Sequence, residues 1–501
     1  MTLPATDGFW DKVLALLTYD ASSPLIFSSG LFLFLFAGFL LVYSAFRRAP
    51  MARIVYVIAF SLYFYYKSSG IYFLLLVFAA ASDFLIARGI FRTRSKSLKR
   101  WLMVLSVAVN LGMLGYFKYT NFFIDISNQL FGQGFLQFRN IFLPVGISFF
   151  VFQSMSYTID IYRGQLKPLS NWLDYLFYLS FFPQLVAGPI VRARDFIPQI
   201  RQNPIVVTRE MFGTGVFLIL TGLFKKAIIS DYISLNFVDR IFDEPLLYSG
   251  FECLMGIYGY ALQIYCDFSG YSDMAIGIAL LLGFRFPKNF DAPYKSATIT
   301  EFWRRWHISL SSWLRDYLYI SLGGNRKGRI RTYGNLLLTM LLGGLWHGAA
   351  VRFILWGGLH GAALALHKLW MSVVPGAKAT GAQMHWWSRA AGIFLTFNIV
   401  CFGWLMFRAE SMQTVQLMLH QIFENFNAPM IPQVLAGYAA VFALIAAGYI
   451  LHLLPSAVDA VAQRIVVHAP LVLQVLMAAA MIWCVMQIKS SDIQPFIYFQ
   501  F

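Results

Sequence analysis

Charge is scarce in this chain. Asp, Glu, Lys and Arg make up 12% of its 501 residues, while 59% are hydrophobic. Soluble domains carry roughly 25% charged residues, so there is too little polar surface here to clothe a core of this size, and a soluble fold is excluded. Cysteine is scarce too. Cys253, Cys266, Cys401 and Cys484 are scattered through apolar segments with no CxxC pair, which argues against both a disulfide framework and a thiolate zinc site. No GxSxG, P-loop or βαβ-type GxGxxG occurs, so the hydrolase elbow and the nucleotide folds have no support. Neither a fixed-period repeat nor two similar halves can be found, which weighs against an inverted-repeat transporter.

What is present is a series of long apolar runs. A helix needs about 20 mostly apolar residues to cross a bilayer. Candidates are 25–46, 51–66, 71–90, 101–117, 141–162, 211–229, 250–284, 334–351, 353–371, 390–407, 433–454 and 470–488. Segment 172–190 is also apolar but is broken by Pro183, Gly188 and Pro189. The expectation is an all-α polytopic membrane protein with about 11–13 membrane segments. Residues 1–24 read as an N-terminal interfacial segment, with Trp10, Val13, Leu14 and Leu17 on one helix face. Asp7 and Asp11 precede the first lysine there, and no cleavable signal peptide is visible.

The net charge of +16 fits cytoplasmic loops better than nucleic acid, because no basic stripe with RNA-type aromatics occurs. Arg47, Arg48 and Arg53 follow the first span, and FRTRSKSLKR (91–100) holds five cations after the third. Both loops should face the cytoplasm, which puts the N-terminus outside the cell membrane. The basic stretches YRGQLKP and VRARDFIPQIR flank 172–190, so that segment need not cross. It reads either as a re-entrant piece covered by protein or as a surface helix pair.

Two stretches invite chemistry. On a helix, EFWRRWHISLSSWLRDYLYISLGGNR (301–326) places Trp303, Trp306 and Leu310 on one face, extended by Trp313, Tyr317 and Ile320. Arg304, Arg305, Arg315 and Asp316 form the polar face, and His307 falls inside. This predicts one interfacial amphipathic helix whose aromatics lie at headgroup depth. GGNRKGRIR (323–331) follows with four cations, suited to anionic lipid headgroups or to an anionic acyl donor. The second stretch is GGLWHGAA, where His347 lies in a run (335–351) without Asp, Glu, Lys or Arg. An ionisable group within the membrane is a functional hypothesis by default. Neutral imidazole keeps a nitrogen lone pair and suits general-base work on a hydroxyl, though a bond to a neighbouring helix is an equal reading. Gly343, Gly344 and Gly348 either leave room for substrate or let helices pack closely.

His360 and His367 are seven apart, on one helix face, with no carboxylate or thiol in that stretch. They read as packing or polar-contact residues, and no metal site is expected. Asp267 and Asp273 in YCDFSGYSD are placed to orient a histidine or, the preferred reading, to pair with Arg304, Arg305 or Arg315.

The stretch from YALQIYCDFSGYSD (260–273) through GFRFPKNFDAPYKSATITEFWRRWHISLSSWLRDYLYISLGGNR (283–326), followed by GGLWHGAA, resembles the membrane-bound O-acyltransferase (MBOAT) family. PQLVAGPIVR (183–192), IFSSGLFLFLF near the start and PFIYFQF at the end belong to the same pattern, and the motif-bearing core spans 183–361 of a single domain covering 1–501. The match looks most like the bacterial branch that includes alginate O-acetylation membrane subunits and the transferases that D-alanylate lipoteichoic acid. About two dozen residues precede IFSSGLFLFLF, and Ser321 stands where Pro is common.

The resemblance implies a ring of helices around a central tunnel, with re-entrant and interfacial helices. It matches His347 to the catalytic histidine and His307 to a second histidine on the donor side. It further implies no tightly bound cofactor and a cytoplasmic acyl thioester as donor, either acetyl-CoA or an acyl carrier protein. The acyl group is expected to be acetyl, with D-alanyl second. Expected partners are membrane lipid and an extracytoplasmic SGNH-type acyltransferase or small membrane acceptor protein that passes the acyl group to polysaccharide or cell wall. Trp346, Asn325 and His307 are candidate oxyanion donors. The rival from another class is a polytopic transporter or flippase, which makes no acylated product. The enzymatic reading requires the His347 ring to be reachable from water.

Overall fold

The computed structural model describes residues 8–21, 24–374 and 385–488. The PFIYFQF motif lies outside the described residues. All regular structure among the described residues is helical, as expected for a polytopic membrane protein. Among the described residues, four runs are long and apolar enough to cross a membrane: Pro50–Arg92, Lys96–Phe131, Arg209–Asp243 and Trp386–Arg408. Two bent pairs, Ala428–Gly437 with Ala439–Leu453 and Ser456–His468 with Leu471–Gln487, bring the figure to six if each is one broken span. The other apolar segments differ for physical reasons. Gly30–Ala45 and Ile147–Tyr162 are only 16 residues long, and the 32-residue helix Gly250–Leu281 carries buried polar groups along its length.

The chain forms two compact units, 1–207 with 282–284, and 208–281 with 285–501. In the first, the amphipathic helix Phe9–Leu17 exposes Trp10 and Leu14. Its C-terminal carbonyls are collected by Lys67, whose ammonium bonds the oxygens of Leu16, at 3.0 Å, and Thr18, as expected for a cation at a helix C-terminus. Segment 172–190 breaks into helices Trp172–Ser180 and Phe182–Leu185, and nearly all of 174–191 is buried. That burial removes the surface-pair reading and leaves a protein-covered break. At its turn, a Cβ on Gly188 would strike the backbone of Pro183 and Gln184.

Among the carboxyl groups the first unit buries is Asp83, which is 0% exposed. Asp83 accepts from Ser106 Oγ at 2.6 Å on one oxygen, and from Asn110 Nδ2 at 2.7 Å and Ser154 Oγ at 2.5 Å on the other. Ser154 Oγ is in turn 2.9 Å from the Tyr175 hydroxyl. Buried polar groups are stable only when bonded in this way.

In the second unit, Lys226 pairs with Asp267 at 2.5 Å and Asp231 at 2.7 Å, and Lys225 with Asp273 at 2.7 Å. Asp267 and Asp273 thus serve lysines rather than Arg304, Arg305 or Arg315. The lysines lie on a π-helical turn, Phe224–Ser230, whose extra residue shifts the register and turns both side chains toward helix Gly250–Leu281. Helix Arg329–His347 packs on Val351–Val373 through glycine. A Cβ on Gly344 would land on the Phe353 carbonyl oxygen, and one on Gly357 on that of Met340. Of the two uses proposed for the glycines around His347, Gly344 therefore serves close helix packing, and Gly348 is filled by the Phe353 ring.

Candidate active site

The stretch 301–326 is not one helix. Thr298 caps helix Ile299–Arg305 by accepting from Glu301 N at 3.1 Å. The helix stops at Trp306, and His307 adopts a left-handed backbone (φ 43°, ψ 55°) before helix Ile308–Trp313 begins. Such a conformation is uncommon outside glycine, although His is among the residues enriched there, and it persists only where surroundings impose it. The imposing element is the KNFDAPY loop. Ile308 N donates to Asn289 O at 2.8 Å, and Asp291 N to Arg305 O at 2.9 Å, so residues 289–291 clasp the break from both sides.

The clasp is itself anchored. Tyr294 N donates to His452 Nε2 at 3.1 Å, and Trp404 Nε1 donates to the Tyr294 hydroxyl at 3.2 Å. Most of the apolar residues of the stretch are core rather than headgroup-facing. Phe302, Trp306 and Leu310 are each 1% exposed, and Trp313 and Tyr317 are buried.

His307 is completely covered. Phe268 meets its ring edge-on at 4.6 Å, and Phe290 stacks at 6.3 Å. Burial pushes its pKa down to about 3, so the ring is neutral near pH 7. Its Nδ1 lies 3.3 Å from Asn289 Oδ1.

His347 is the last residue of helix Arg329–His347, which ends where Gly348 turns extended. Trp346 and Trp356 each lie 5.0 Å from its ring, and Phe407 lies 5.4 Å away. It keeps 4% of its surface exposed, so its access to water is narrow. Trp346 joins the two histidines, with its ring 6.4 Å from His307 and 5.0 Å from His347.

Trp303, Trp306 and Trp346 belong to this aromatic region. Trp303 reaches it through Trp356 at 5.8 Å and His360 at 5.2 Å, and Trp306 through Phe290 at 5.1 Å. The polar candidates lie elsewhere. Arg304 is exposed. Arg305 pairs with Glu301 at 2.9 Å, and Arg315 with Asp316 at 2.7 Å on the surface. Asn325 is exposed and accepts from Lys368 at 2.9 Å and from the Tyr319 hydroxyl. His360 packs against Trp356 at 4.8 Å, and His367 bonds Thr300 Oγ1 at 2.8 Å, as read from their spacing.

Sequence reasoning missed Asn289, Phe268, Trp356 and Phe407. Asn289 and Phe268 carried a signal, since both lie in quoted motifs. No cluster of three or more His, Cys, Asp or Glu suited to a metal occurs among the described residues.

Chemically, the arrangement is two buried imidazoles in an aromatic enclosure. Low polarity keeps the His307 ring uncharged and strengthens hydrogen bonds made inside. Such a site can accept protons and orient a polar substrate.

The family model described as "MBOAT, membrane-bound O-acyltransferase family" matches residues 165–409, the part that holds both histidines. The chain is 42% identical over 406 residues to the probable alginate O-acetylase AlgI of Pseudomonas aeruginosa, covering 80% of this chain and 75% of that one. It is 36% identical over 419 residues to the peptidoglycan O-acetyltransferase of Helicobacter pylori, with 78% of each covered. It is 30% identical over 288 residues to the teichoic acid D-alanyltransferase of Bacillus subtilis, covering 54% of this chain and 70% of that one.

Proposed function

Because this chain belongs to the membrane-bound O-acyltransferase family, and is therefore a multi-pass membrane acyltransferase, we propose that it transfers a short acyl group, acetyl, from a cytoplasmic thioester to an extracytoplasmic hydroxyl in the O-acylation of a cell-surface polymer. The observation that carries the reading is the pairing of His307 and His347 across Trp346. Acetyl is favoured over D-alanyl because the relatives named for O-acetylation match at 42% and 36% identity over about four-fifths of the chain, against 30% over 54% for the D-alanyltransferase.

In the proposed reaction His347 takes the proton of an acceptor hydroxyl as its oxygen attacks the thioester carbonyl. The carbon–sulfur bond then breaks, and the proton passes from His347 to the leaving thiolate. Base assistance of this kind is worth roughly 10²–10⁴-fold. The developing oxyanion is assigned to the Trp346 indole N–H, the donor packed between both rings. Enclosure by Trp356 and Phe407 limits loss of the thioester to water.

We place the enzyme in the cytoplasmic membrane with its N-terminus outside. The donor is acetyl-CoA or an acetylated carrier protein, and the acceptor is a polymer hydroxyl or an SGNH-type partner or small membrane acceptor protein that relays the group. The test is incubation of the full chain in lipid nanodiscs with radiolabelled acetyl-CoA and polysaccharide acceptor, followed by mass spectrometry of the acceptor. An acetyl ester that vanishes in His347→Ala supports the reading. Acceptor moved across vesicles without any mass change would make the protein a flippase instead.

A further inference from the structure

Asn289 is 1% exposed, and its side-chain oxygen serves the turn that carries His307. Its Oδ1 accepts the backbone N–H of Ser309 at 3.2 Å and the Ser309 hydroxyl at 2.9 Å, and lies 3.3 Å from His307 Nδ1. Its Nδ2 donates to Ser272 Oγ at 3.1 Å.

These contacts determine where the ring hydrogen of His307 resides. A backbone N–H can only donate, so the atom facing Ser309 N is the amide oxygen, and the orientation of the Asn289 amide follows. An amide oxygen can only accept. The imidazole nitrogen 3.3 Å from it must therefore carry the hydrogen, since two lone pairs facing each other at that distance would repel in a buried site. Ser309 Oγ, 3.5 Å from the same nitrogen, gives its own hydrogen to Asn289 over the shorter path, and so turns a lone pair toward Nδ1 as well. A neutral ring holds a single N–H. With that hydrogen on Nδ1, Nε2 is an acceptor.

We infer that Asn289 is a positioning residue that holds His307 in its Nδ1–H tautomer, so that His307 meets the substrate as a hydrogen-bond acceptor and not as an oxyanion donor. This rests on the reading of His307 as part of the transfer site. The group it receives is an N–H or O–H: the amide N–H of a pantetheine-type thioester arm, or the hydroxyl being acylated. Asn289 acts through His307 and does not itself touch the reacting atoms. Second partners of this kind set the tautomer and orientation of functional histidines elsewhere.

The tautomer is read directly by solid-state NMR of the full chain, ¹⁵N-labelled at histidine and held in lipid nanodiscs, with the His307 signals assigned by difference against His307→Gln. The wild-type spectrum should show a protonated Nδ1 and a pyridine-type Nε2 at His307. Asn289→Ala should move the hydrogen toward Nε2, and Asn289→Asp, which keeps the acceptor oxygen, should retain it on Nδ1. A wild-type ring protonated at Nε2 overturns the inference, as does an unchanged tautomer in Asn289→Ala. The wild-type spectrum decides even if the alanine variant fails to fold.

In turnover with acetyl-CoA, Asn289→Ala should lose roughly 10–100-fold in rate, with no further loss on adding His307→Ala and recovery in Asn289→Asp. A raised KM for acetyl-CoA identifies the thioester amide as the bound group, and a raised KM for the polysaccharide identifies the hydroxyl. Full activity in Asn289→Ala overturns the inference. The spectrum is taken without substrate, so it stands or falls separately from acyl transfer. Normal turnover by His347→Ala would reject the functional reading and leave the tautomer untouched.

Discussion

Asp83 and His307 are both polar groups sunk among apolar side chains, and the protein treats them in opposite ways. Asp83 receives donors on both carboxyl oxygens, from Ser106, Asn110 and Ser154. His307 is gripped through Nδ1 and faces the rings of Phe268, Phe290 and Trp346. A group bonded on every side ties helices together. The Nδ1 contact and the edge-on Phe268 ring fix the plane of the imidazole, and a fixed orientation is what a reacting ring requires. The comparison teaches that the pattern of bonding around a buried polar group, more than its burial, separates scaffold from chemistry.

That contrast can be broken by experiment. The largest effect is expected from His347→Ala. Acyl transfer should fall by roughly 10²–10⁴-fold while the melting temperature in nanodiscs stays near wild type. A cold, folded His347→Ala enzyme that still acylates at the normal rate would remove the histidine from the chemistry. Next comes His307→Ala, expected to cost roughly 10–100-fold, again with little change in thermal stability. Unchanged steady-state constants for acetyl-CoA and for acceptor would assign His307 to the scaffold alongside Asp83.

Asp83→Ala should behave in the reverse sense. It removes the shared acceptor of Ser106, Asn110 and Ser154 from a buried site, so thermal denaturation should begin at a lower temperature while turnover per folded molecule is kept. Loss of turnover without loss of stability would make Asp83 functional and erase the distinction. The smallest effect is expected from Asp316→Asn. The Arg315–Asp316 pair is exposed on its arginine side, and surface pairs contribute under about 1 kcal/mol. A large rise in the KM for acetyl-CoA in this variant would restore the polar face of 301–326 to the donor path.

Much of this was legible in the sequence, and the limits have identifiable causes. Scarcity of charge sufficed for the membrane class, because a bilayer tolerates few ionised groups. Both histidines could be singled out as candidates because they lie in quotable motifs. The break at His307 was invisible: apolar spacing continues through Trp306, Leu310 and Trp313 as if one helix ran across it, and the residue that imposes the break, Asn289, lies 18 positions earlier. Asp267 and Asp273 were assigned to nearby arginines because sequence proximity was the only guide. Their lysines come from a preceding helix, and Lys225 and Asp273 are 48 positions apart. The partners of Asp83 are 23 to 71 positions away. The wall formed by Trp356 and Phe407 left no mark at all, since an aromatic residue in an apolar run reads as core wherever it ends up. Local pattern reports what a segment is made of, and long-range pairing decides what it faces.

The glycine seam has a consequence for how anything reaches His347. Its ring is almost closed off, so admission of a substrate demands that a neighbour yield. Rotamer changes open space only where there are side chains to swing, and between Gly344 and the Phe353 carbonyl, or Gly357 and that of Met340, there are none. That flank is a fixed jamb. The Trp356 and Phe407 rings beside His347 are held by side-chain torsions that can turn, which the glycine seam lacks.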